Sequence, residues 1–344
     1  MASIFDLVTA DAITAYWTQK VTSLPPYLGE ELFPDNKKLG LDIKWIKGAK
    51  GLPVVLAPSA YDAKARKRTR IGFEKLAAQM PFFKESTGID EELRQQLNMV
   101  LETGNQAYID SIMNRVFDDE TDLLSGARAQ RERMRMMALT TGAISISANG
   151  QDYDYDYGMP NDHKSTVSTS WSNPAADIYG DIENAIDKIE DDTGVRPSRA
   201  VCSKKTWGYF RKNTAIRNAI LRNDTAVQVT DDEIMKYFED TLSLEIVKYT
   251  KKYRTEAGTE AAFVADDIFV LFPEGDLGTG WFGTTPEESD LMSGSAANVS
   301  ITDTGVAVTT SKLVDPVQVD TKASMIYLPS FEQADEVYIL DVIA

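Results

Sequence analysis

The chain has 344 residues and a strong excess of acidic side chains, with a formal net charge of −17 at pH 7 and an isoelectric point of about 4.6. Its hydrophobic fraction of 43% and its charged fraction of 26% are typical of a globular protein that buries a core. The negative charge would repel a phosphate backbone, which argues against a dedicated nucleic-acid-binding protein.

Further classes of protein are disfavoured by what the sequence lacks. No run approaches the roughly 18 apolar residues of a membrane helix, and the N-terminal residues carry Asp6 and Asp11 in place of a basic leader. Cys202 is the only cysteine, so the chain can form neither an internal disulfide nor a cysteine-based zinc cluster. We therefore expect an intracellular protein that does not contact membranes.

Opposite charges are concentrated in two different stretches. Residues 151–192 contain nine aspartates, two glutamates and two lysines, which is a local charge of −9. A short basic segment, by contrast, contains five cations: Lys64, Arg66, Lys67, Arg68 and Arg70. One compact basic segment on an acidic protein favours contact between identical subunits. On charge alone, a solvated surface loop remains an equal alternative.

The predicted elements begin with an extended arm and a long hairpin. After a short helical opening, the prolines within 24–27 and 33–34 favour extended backbone. Alternating apolar and charged residues over 41–48 predict a strand with one solvated face, and 52–58 is a second extended run. With a return segment over 71–76, these stretches predict a hairpin with the basic segment at its tip.

A long helix is predicted next, because Ile109, Ile112, Met113, Val116 and Phe117 recur at spacings of three and four residues. A helix over 108–139 would span ~48 Å at about 1.5 Å per residue. That length is more typical of a spine than of a small globular domain.

The middle of the chain predicts a hairpin and a well-marked helix. Asn149-Gly150 is a hairpin turn signal between the runs 143–146 and 153–157. In the helix, Asn173 is the predicted N-cap, Pro174 the first residue and Gly194 the stop. Its apolar face consists of Ile178, Ile182, Ile186 and Ile189.

The remaining elements are mainly strands. A helix over 230–241 opens with the capping-box pair Thr230 and Glu233. Strands are predicted over 244–253 and 268–272, followed by a Gly/Thr/Ser-rich loop over 274–298. Further strand-like runs are 317–319, 325–328 and 336–342. The order of elements predicts an α+β fold and not an alternating βαβ chain.

Three patterns that resemble catalytic or metal sites have simpler interpretations. His163, the only histidine, lies in a polar stretch and is predicted on a surface loop, whereas Cys202 is predicted in a buried strand. Asp152, Asp154 and Asp156 do not fit an EF-hand loop, because its glycine and glutamate positions hold other residues. Their alternation with tyrosines predicts a strand with a packed tyrosine face and a solvated carboxylate face. Incidental cation binding on that face remains an alternative.

The glycines of 278–283 match a dinucleotide-binding fingerprint, but the context does not support it. A nucleotide site needs a helix that begins directly after the glycines, and here Pro286, Glu287 and Glu288 follow. We predict a mobile surface loop. No catalytic residue, cofactor or metal site is therefore predicted. For the basic segment we prefer a contact between subunits, because Tyr61 is the only nearby aromatic that could stack on a base.

The order of motifs resembles the lambda-like major capsid protein E family of tailed phages, whose members have the Hong Kong 97 type shell fold. The resemblance covers nearly the whole chain. The matching residues are Phe33-Pro34, Ile46-Lys47-Gly48, Pro53-Val54-Val55-Leu56-Ala57-Pro58, Ala138-Leu139-Thr140-Thr141-Gly142, Ala200-Val201-Cys202-Ser203, Lys205-Thr206-Trp207-Gly208-Tyr209-Phe210, Leu328-Pro329-Ser330 and Ala334-Asp335-Glu336-Val337.

This resemblance implies five parts. Residues 1–40 resemble the N-terminal arm that reaches neighbouring subunits, and 41–85 the extended hairpin loop that lies over an adjacent subunit. Residues 86–171 resemble the peripheral domain with its spine helix. Residues 172–312 resemble the axial domain at the centre of hexamers and pentamers, and 313–344 the C-terminal strands that return to the peripheral domain. The implied inter-subunit contacts are the basic segment, Phe33 and Pro34.

The resemblance also implies a function and partners. The chain would self-assemble into an icosahedral or prolate shell around phage double-stranded DNA, as a virion protein assembled in the host cytoplasm. The implied partners are a scaffolding protein, a portal and the packaged DNA, which is contacted non-specifically, with a decoration protein as an optional addition. An encapsulin-like shell around a cargo enzyme and a nucleotide-binding enzyme remain alternatives. A phage tail-tube subunit is disfavoured by the long helix.

Overall fold

The computed structural model describes residues 7–47, 74–89, 91, 94–95, 99, 106–221, 228–255, 257–291, 297–314 and 317–344. The chain forms two compact units, each built from stretches that are far apart in sequence. Unit 1 contains the described residues of Met1–Ile43, Ala78–Met134 and Thr279–Ser330, and unit 2 contains those of Lys44–Ala77, Arg135–Gly278 and Phe331–Ala344. No described helix combines the length and the apolar character needed to cross a membrane.

Helices and strands are mixed along the chain, which confirms the predicted α+β class. The helices are α1 (Ala10–Ser23), α2 (Leu28–Leu32), α3 (Gln106–Thr141), α4 (Ile178–Thr193), α5 (Lys204–Lys212), α6 (Thr214–Leu221) and α7 (Asp231–Leu242). The strands are β1 (Asp35–Lys37), β2 (Asp42–Lys47), β3 (Glu74–Gln79), β4 (Phe82–Ile89), β5 (Ala143–Ala148), β6 (Gln151–Asp156), β7 (Lys164–Thr166), β8 (Arg199–Cys202), β9 (Glu245–Lys248), β10 (Lys252–Arg254), β11 (Glu260–Ala262), β12 (Ile268–Phe272), β13 (Gly280–Phe282), β14 (Asn298–Thr302), β15 (Val306–Val314), β16 (Val317–Pro329) and β17 (Tyr338–Asp341).

Unit 1 is organised around a six-stranded sheet in which β16 is the longest strand. The order is β1–β13–β16–β15–β14, and β4 also pairs with β16. Both β15 and β4 are antiparallel to β16, and Thr321 lies opposite Thr310 on one side and Thr87 on the other. Helix α1 packs on β14 and β15. It buries Ile13 and Trp17 there, so the N-terminal helix contributes to the core of its own unit.

The predicted surface loop over the glycines of 278–283 is wrong for its central residues. Gly280–Phe282 forms β13, which pairs with β1 on one side and with β16 on the other. A Cβ at Gly280 would lie 2.6 Å from the Tyr327 hydroxyl, and one at Gly283 would lie 2.6 Å from Cγ2 of Ile326. These glycines are therefore needed for close packing in the sheet. The residues that follow form a π-helical turn, Glu287–Leu291, in place of the α-helix that a dinucleotide site requires.

Unit 2 packs helices on a five-stranded sheet of order β7–β17–β12–β8–β9. The isoleucine face of α4 is buried as predicted, with Ile178, Ile182, Ile186 and Ile189 all inaccessible to solvent. Aromatic side chains complete the core: Trp171, Trp207, Phe210, Phe238 and Phe269. Burial of one isoleucine side chain contributes about 2 kcal/mol, so this apolar face is enough to fix which side of α4 meets the sheet.

The predicted N-terminus of α4 is wrong by several residues. The helix begins at Ile178, and its N-cap is Asp177, whose carboxylate accepts a hydrogen bond of 3.0 Å from the Gly180 amide. Asn173 caps a separate turn instead, because its side chain accepts from the Ala175 amide at 3.0 Å. Both residues are good caps, and the isoleucine face begins only at Ile178. Gly194 ends the helix in the left-handed conformation, as predicted.

Other local predictions are confirmed. Asn149 and Gly150 have φ values of 52° and 73°, and they join the antiparallel strands β5 and β6. Thr230 and Glu233 form the predicted capping box at the start of α7. The long helix α3 has 36 residues and extends beyond the predicted bounds at both ends.

The N-terminal segment is more helical than predicted. The prolines favoured extended backbone over 24–34, yet α2 forms one helical turn between them. Strands β2 and β3 pair with each other as the predicted hairpin requires, whereas its second extended run, 52–58, and the basic segment lie outside the described residues.

We predict opposite effects for two glycine-to-alanine substitutions in unit 2. Gly194→Ala should lower the free energy of unfolding by about 1 kcal/mol, because φ there is 72° and alanine is disfavoured in that conformation. Gly208→Ala should raise it by about 0.5–1 kcal/mol, because Gly208 lies inside α5 and a Cβ would meet no atom within 4 Å. Urea unfolding of the purified subunit measures both. Effects of the same sign would contradict these assignments.

Candidate assembly site

The sequence-predicted contact residues fall in two places. Lys64, Arg66, Lys67, Arg68 and Arg70 lie outside the described residues, so their contact with other subunits stays a prediction. Phe33 is fully buried within unit 1 and its amide donates to the Gly29 carbonyl at 2.9 Å, whereas Pro34 is exposed. In the free subunit, Pro34 is therefore the accessible member of this pair.

The N-terminal segment, residues 7–43, is held on α3 by charged side chains that the sequence analysis did not select. Arg128 of α3 donates from Nε and Nη2 to the two carboxylate oxygens of Glu30, at 2.6 and 2.9 Å. Its guanidinium also lies over the Tyr27 ring, 4.7 Å from the centroid. The hydrogen bonds that Arg128 donates to Glu30 raise the pKa of Arg128. A bidentate ion pair of this kind fixes both the position and the orientation of Glu30 on α3.

Arg131, one helical turn further along α3, bridges two carboxylates. Its Nη1 lies 3.2 Å from Oδ2 of Asp35 in β1, and its Nη2 lies 2.8 Å from Oδ2 of Asp303 in the β14–β15 turn. The Arg131 side chain is only 4% exposed. Asp303 also accepts a hydrogen bond of 3.0 Å from the indole of Trp17. The guanidinium thus joins β1, the turn and α3, and through Asp303 it also fixes α1.

Further polar contacts continue along the same helix. Glu132 of α3 is buried and accepts a hydrogen bond of 3.2 Å from the Gly29 amide. Asp118 accepts from Lys20 at 2.8 Å and from the Tyr16 hydroxyl at 3.1 Å. The two carboxylates contribute differently to the stability of the fold, because Glu132 is buried whereas Asp118 is exposed and its charge is screened by water.

An open cleft of about 250 Å³ lies within this cluster. It is lined by Val21, Glu30, Asp35, Arg128, Arg131, Asp303 and Thr304. Both guanidinium groups are already paired with carboxylates, and the three acids outnumber them. The cleft therefore has no excess positive charge for an anionic ligand, and its chemistry is that of a docking contact between segments of the chain.

In unit 2, the prediction that His163 is a surface residue is wrong. The side chain is almost fully buried, its ring stacks on Tyr338 at 5.8 Å, and Nε2 lies 3.0 Å from Asp192. Polar flanking residues misled the prediction, because the 3₁₀ turn Asn161–His163 directs one residue inward while its neighbours stay exposed. Cys202 is in the predicted buried strand, and burial raises the pKa of its thiol to about 12.

Asp162, His163 and Asp192 form the one group in the described residues with the spacing of a metal site. Lys188 lies between the two carboxylates, with its ammonium 2.8 Å from Asp162 and 2.7 Å from Asp192. Its hydrogen bonds lower the pKa of both acids. A lysine thus already supplies the positive charge that a metal ion would bring, and the group is an ion-pair cluster.

The acidic stretch 151–192 forms two exposed surfaces of unit 2. In β6, Asp152, Asp154 and Asp156 are exposed while Tyr153 and Tyr155 are half-buried and stacked, which confirms the predicted carboxylate face. The outer face of α4 carries a second set of exposed acids: Glu183, Asp187, Glu190 and Asp191. Arg196 pairs with Glu190 at 2.7 Å and with Asp187 at 4.0 Å, so Glu183 and Asp191 are the members of this set that are open to a cationic partner.

Comparison with known proteins decides the family. The sequence profile of the family described as phage major capsid protein E matches residues 9–342. The chain belongs to this family. Family membership makes the chain a shell-forming structural protein of the phage capsid. No match was found among curated protein sequences.

Solved structures agree on the fold of this capsid protein. A capsid protein assigned to a prophage of Escherichia coli CFT073 has a TM-score of 0.62 at 14% identity, over 98% of this chain and 99% of that one. A phage-related protein from Bordetella bronchiseptica RB50 has a TM-score of 0.55 at 16% identity, over 97% of each chain. The capsid asymmetric unit of cyanophage A-1(L) gives 0.51 at 11% identity, over 92% of each. The chain therefore has the predicted Hong Kong 97 type fold.

The buried charges of α3 left a signal in the sequence that hydrophobic periodicity overlooks. Arg128, Arg131 and Arg135 continue the same helical spacing as the buried residues Val116 and Leu124. Charged residues at core positions of an amphipathic helix must find buried partners. That rule would have predicted acidic partners for them, although not which ones.

Replacement of the Arg131 guanidinium tests its role as a bridge. Arg131→Met should lower the free energy of unfolding by about 3 kcal/mol, because the Asp35 and Asp303 carboxylates would lose their shared buried cation. Lys20→Met is the matched control. It removes an exposed pair with Asp118 and should change the free energy by less than about 1 kcal/mol. Urea unfolding compares the two variants, and equal effects would show that Arg131 is not a structural bridge.

Proposed function

We propose that the chain is the major shell subunit of a tailed phage and assembles through hexamers and pentamers around double-stranded DNA. The observation that carries this proposal is the family match over residues 9–342, which leaves almost none of the chain for another function. It favours a phage capsid over an encapsulin-like compartment, and a structural protein over a nucleotide-binding enzyme. The net charge of −17 supports a shell whose surface does not hold packaged DNA tightly.

Within the subunit, we assign the parts as the family resemblance implies. Residues 1–40 act as the arm, 41–85 as the extended hairpin loop, 86–171 as the peripheral domain, 172–312 as the axial domain and 313–344 as the returning C-terminal strands. Assembly takes place in the host cytoplasm with a scaffolding protein and a portal, and a decoration protein is an optional partner. Packaged DNA contacts the shell without sequence preference.

The contact between subunits in this proposal joins the basic segment of one copy to an acidic surface of another. The support is charge complementarity: the segment 64–70 contains five cations, and the outer side of α4 carries exposed acids. Such a pairing steers association and fixes register more than it adds raw affinity. Phe33 and Pro34 are the second contact, in which Pro34 is already accessible.

We predict that the triple variant Arg66→Glu, Lys67→Glu, Arg68→Glu folds but does not form shells, or forms them only with a strong dependence on salt. Charge reversal would place the basic segment against like charge on its neighbour. The measurement is negative-stain microscopy and sedimentation of the protein expressed with its neighbouring genes. A circular-dichroism spectrum of the subunit confirms folding.

Two further variants sharpen this test. The charge-preserving exchange Arg66→Lys, Lys67→Arg, Arg68→Lys should leave assembly intact. Combining the charge reversal with Glu183→Lys and Asp191→Lys, at the exposed acids of α4 that Arg196 does not pair with, should restore shells if α4 is the acceptor surface. Normal shells from the reversed variant alone would refute the basic contact, whereas a wild-type protein that never forms particles would refute the proposed function itself.

A further inference from the structure

Glu120 lies on the buried face of α3, between two apolar residues of the same stripe. Val116, Glu120 and Leu124 follow one another at four-residue spacing, which places them on one side of the helix. Glu120 is 3% exposed, and its two neighbours in the stripe are exposed even less. The adjacent acids Asp118, Asp119 and Asp122 are all exposed. Among these four acids of the stretch 118–122, Glu120 alone occupies a core position.

Among the described residues, the groups that act on the Glu120 carboxyl include no cation. The Thr321 hydroxyl of β16 faces it, and Asp320 of β16 and Asp119 of its own helix lie near enough to act on its charge. Atom Oε2 is buried and has no hydrogen-bond partner among the described residues. Helix α1 contains one cation, Lys20, which donates to Asp118 at 2.8 Å and to the Thr121 hydroxyl at 3.2 Å.

The strands beside β16 also supply no buried charge to this face. Thr87 of β4 and Thr310 of β15 lie directly opposite Thr321. The charged residues two positions along those strands, on the same face of the sheet, are Glu85 and Lys312, and both are exposed.

An ionised carboxylate in such a place is unfavourable, because burial removes its water and no described residue of opposite charge replaces it. Burial is the main reason why the pKa of Glu120 is raised to about 7, and Asp320 and Asp119 raise it further. The Thr321 hydroxyl favours the ionised form and offsets only part of the shift. Near neutral pH the carboxyl therefore changes between its protonated and its ionised form.

We propose that Glu120 is a proton-controlled switch in the packing of α3 on β16. With its proton bound, the neutral carboxyl fits the buried stripe; when the proton leaves, the charge destabilises this part of unit 1. In the unfolded chain the same group ionises near its usual pKa of 4.5. The folded state thus holds a proton that the unfolded state has lost, and stability falls as pH rises from about 4.5 to about 7.

The test compares full-length unassembled subunit with its Glu120→Gln variant by hydrogen exchange and urea unfolding at pH 5 and pH 8. For the wild type, the unfolding equilibrium constant of the region should rise roughly tenfold to a hundredfold between these pH values. Exchange rates of peptides covering 112–124 and 318–326, corrected for intrinsic rates, should rise with it. The glutamine variant should lack this pH-dependent rise, because glutamine has nearly the same shape as glutamate but no carboxyl proton to lose.

Asp119→Asn is the matched control, since it removes an exposed acid next to Glu120, and it should keep most of the wild-type pH response. If the glutamine variant does not fold, Glu120→Leu replaces it with a side chain suited to the apolar stripe. Identical pH responses in wild type and the Glu120 variants would overturn the proposal. A wild-type response that is flat between pH 5 and pH 8 would overturn it without any variant.

Discussion

The guanidinium of Arg131 joins α3 to two other stretches of unit 1 through buried or partly buried carboxylates. It lies 3.2 Å from Asp35 and 2.8 Å from Asp303, and Asp303 in turn binds the Trp17 indole. These partners come from opposite ends of the chain. A buried ion pair adds little net stability, but it strongly penalises any arrangement that separates its members. The N-terminal segment and the β14–β15 turn therefore pack on α3 in only one arrangement.

Local sequence signals predicted much of the fold. The isoleucine face of α4, the capping box at Thr230 and the turn at Asn149-Gly150 each depend on neighbouring residues, and each is found where predicted. The stretch 278–283 was wrongly predicted to be a loop, because the reason for its glycines lies outside the stretch. Gly280 and Gly283 are small because Tyr327 and Ile326 of a distant strand approach them closely. No pattern within the stretch shows that approach.

The candidate site was harder to predict than the fold for the same reason. The charge pattern directed attention to the basic segment, whereas the best-defined polar contacts involve α3 and residues about a hundred positions away, such as the pair of Arg128 with Glu30. Periodicity shows that a charged residue faces the core, but partner identity depends on tertiary packing. His163 is the converse case, because its polar neighbours conceal a buried ring.

Strand β17 comes from the last residues of the chain, yet it lies inside the unit 2 sheet, between β7 and β12. Unit 1 likewise needs Thr279–Ser330 before its sheet can close. An interior strand of each unit therefore pairs with strands that lie far away in sequence. Such pairings form slowly, because the long intervening chain must close before the contacts between the strands can stabilise it. Until they form, the neighbouring strands keep unpaired edges, so protection of both sheets against aggregation depends on late steps of folding.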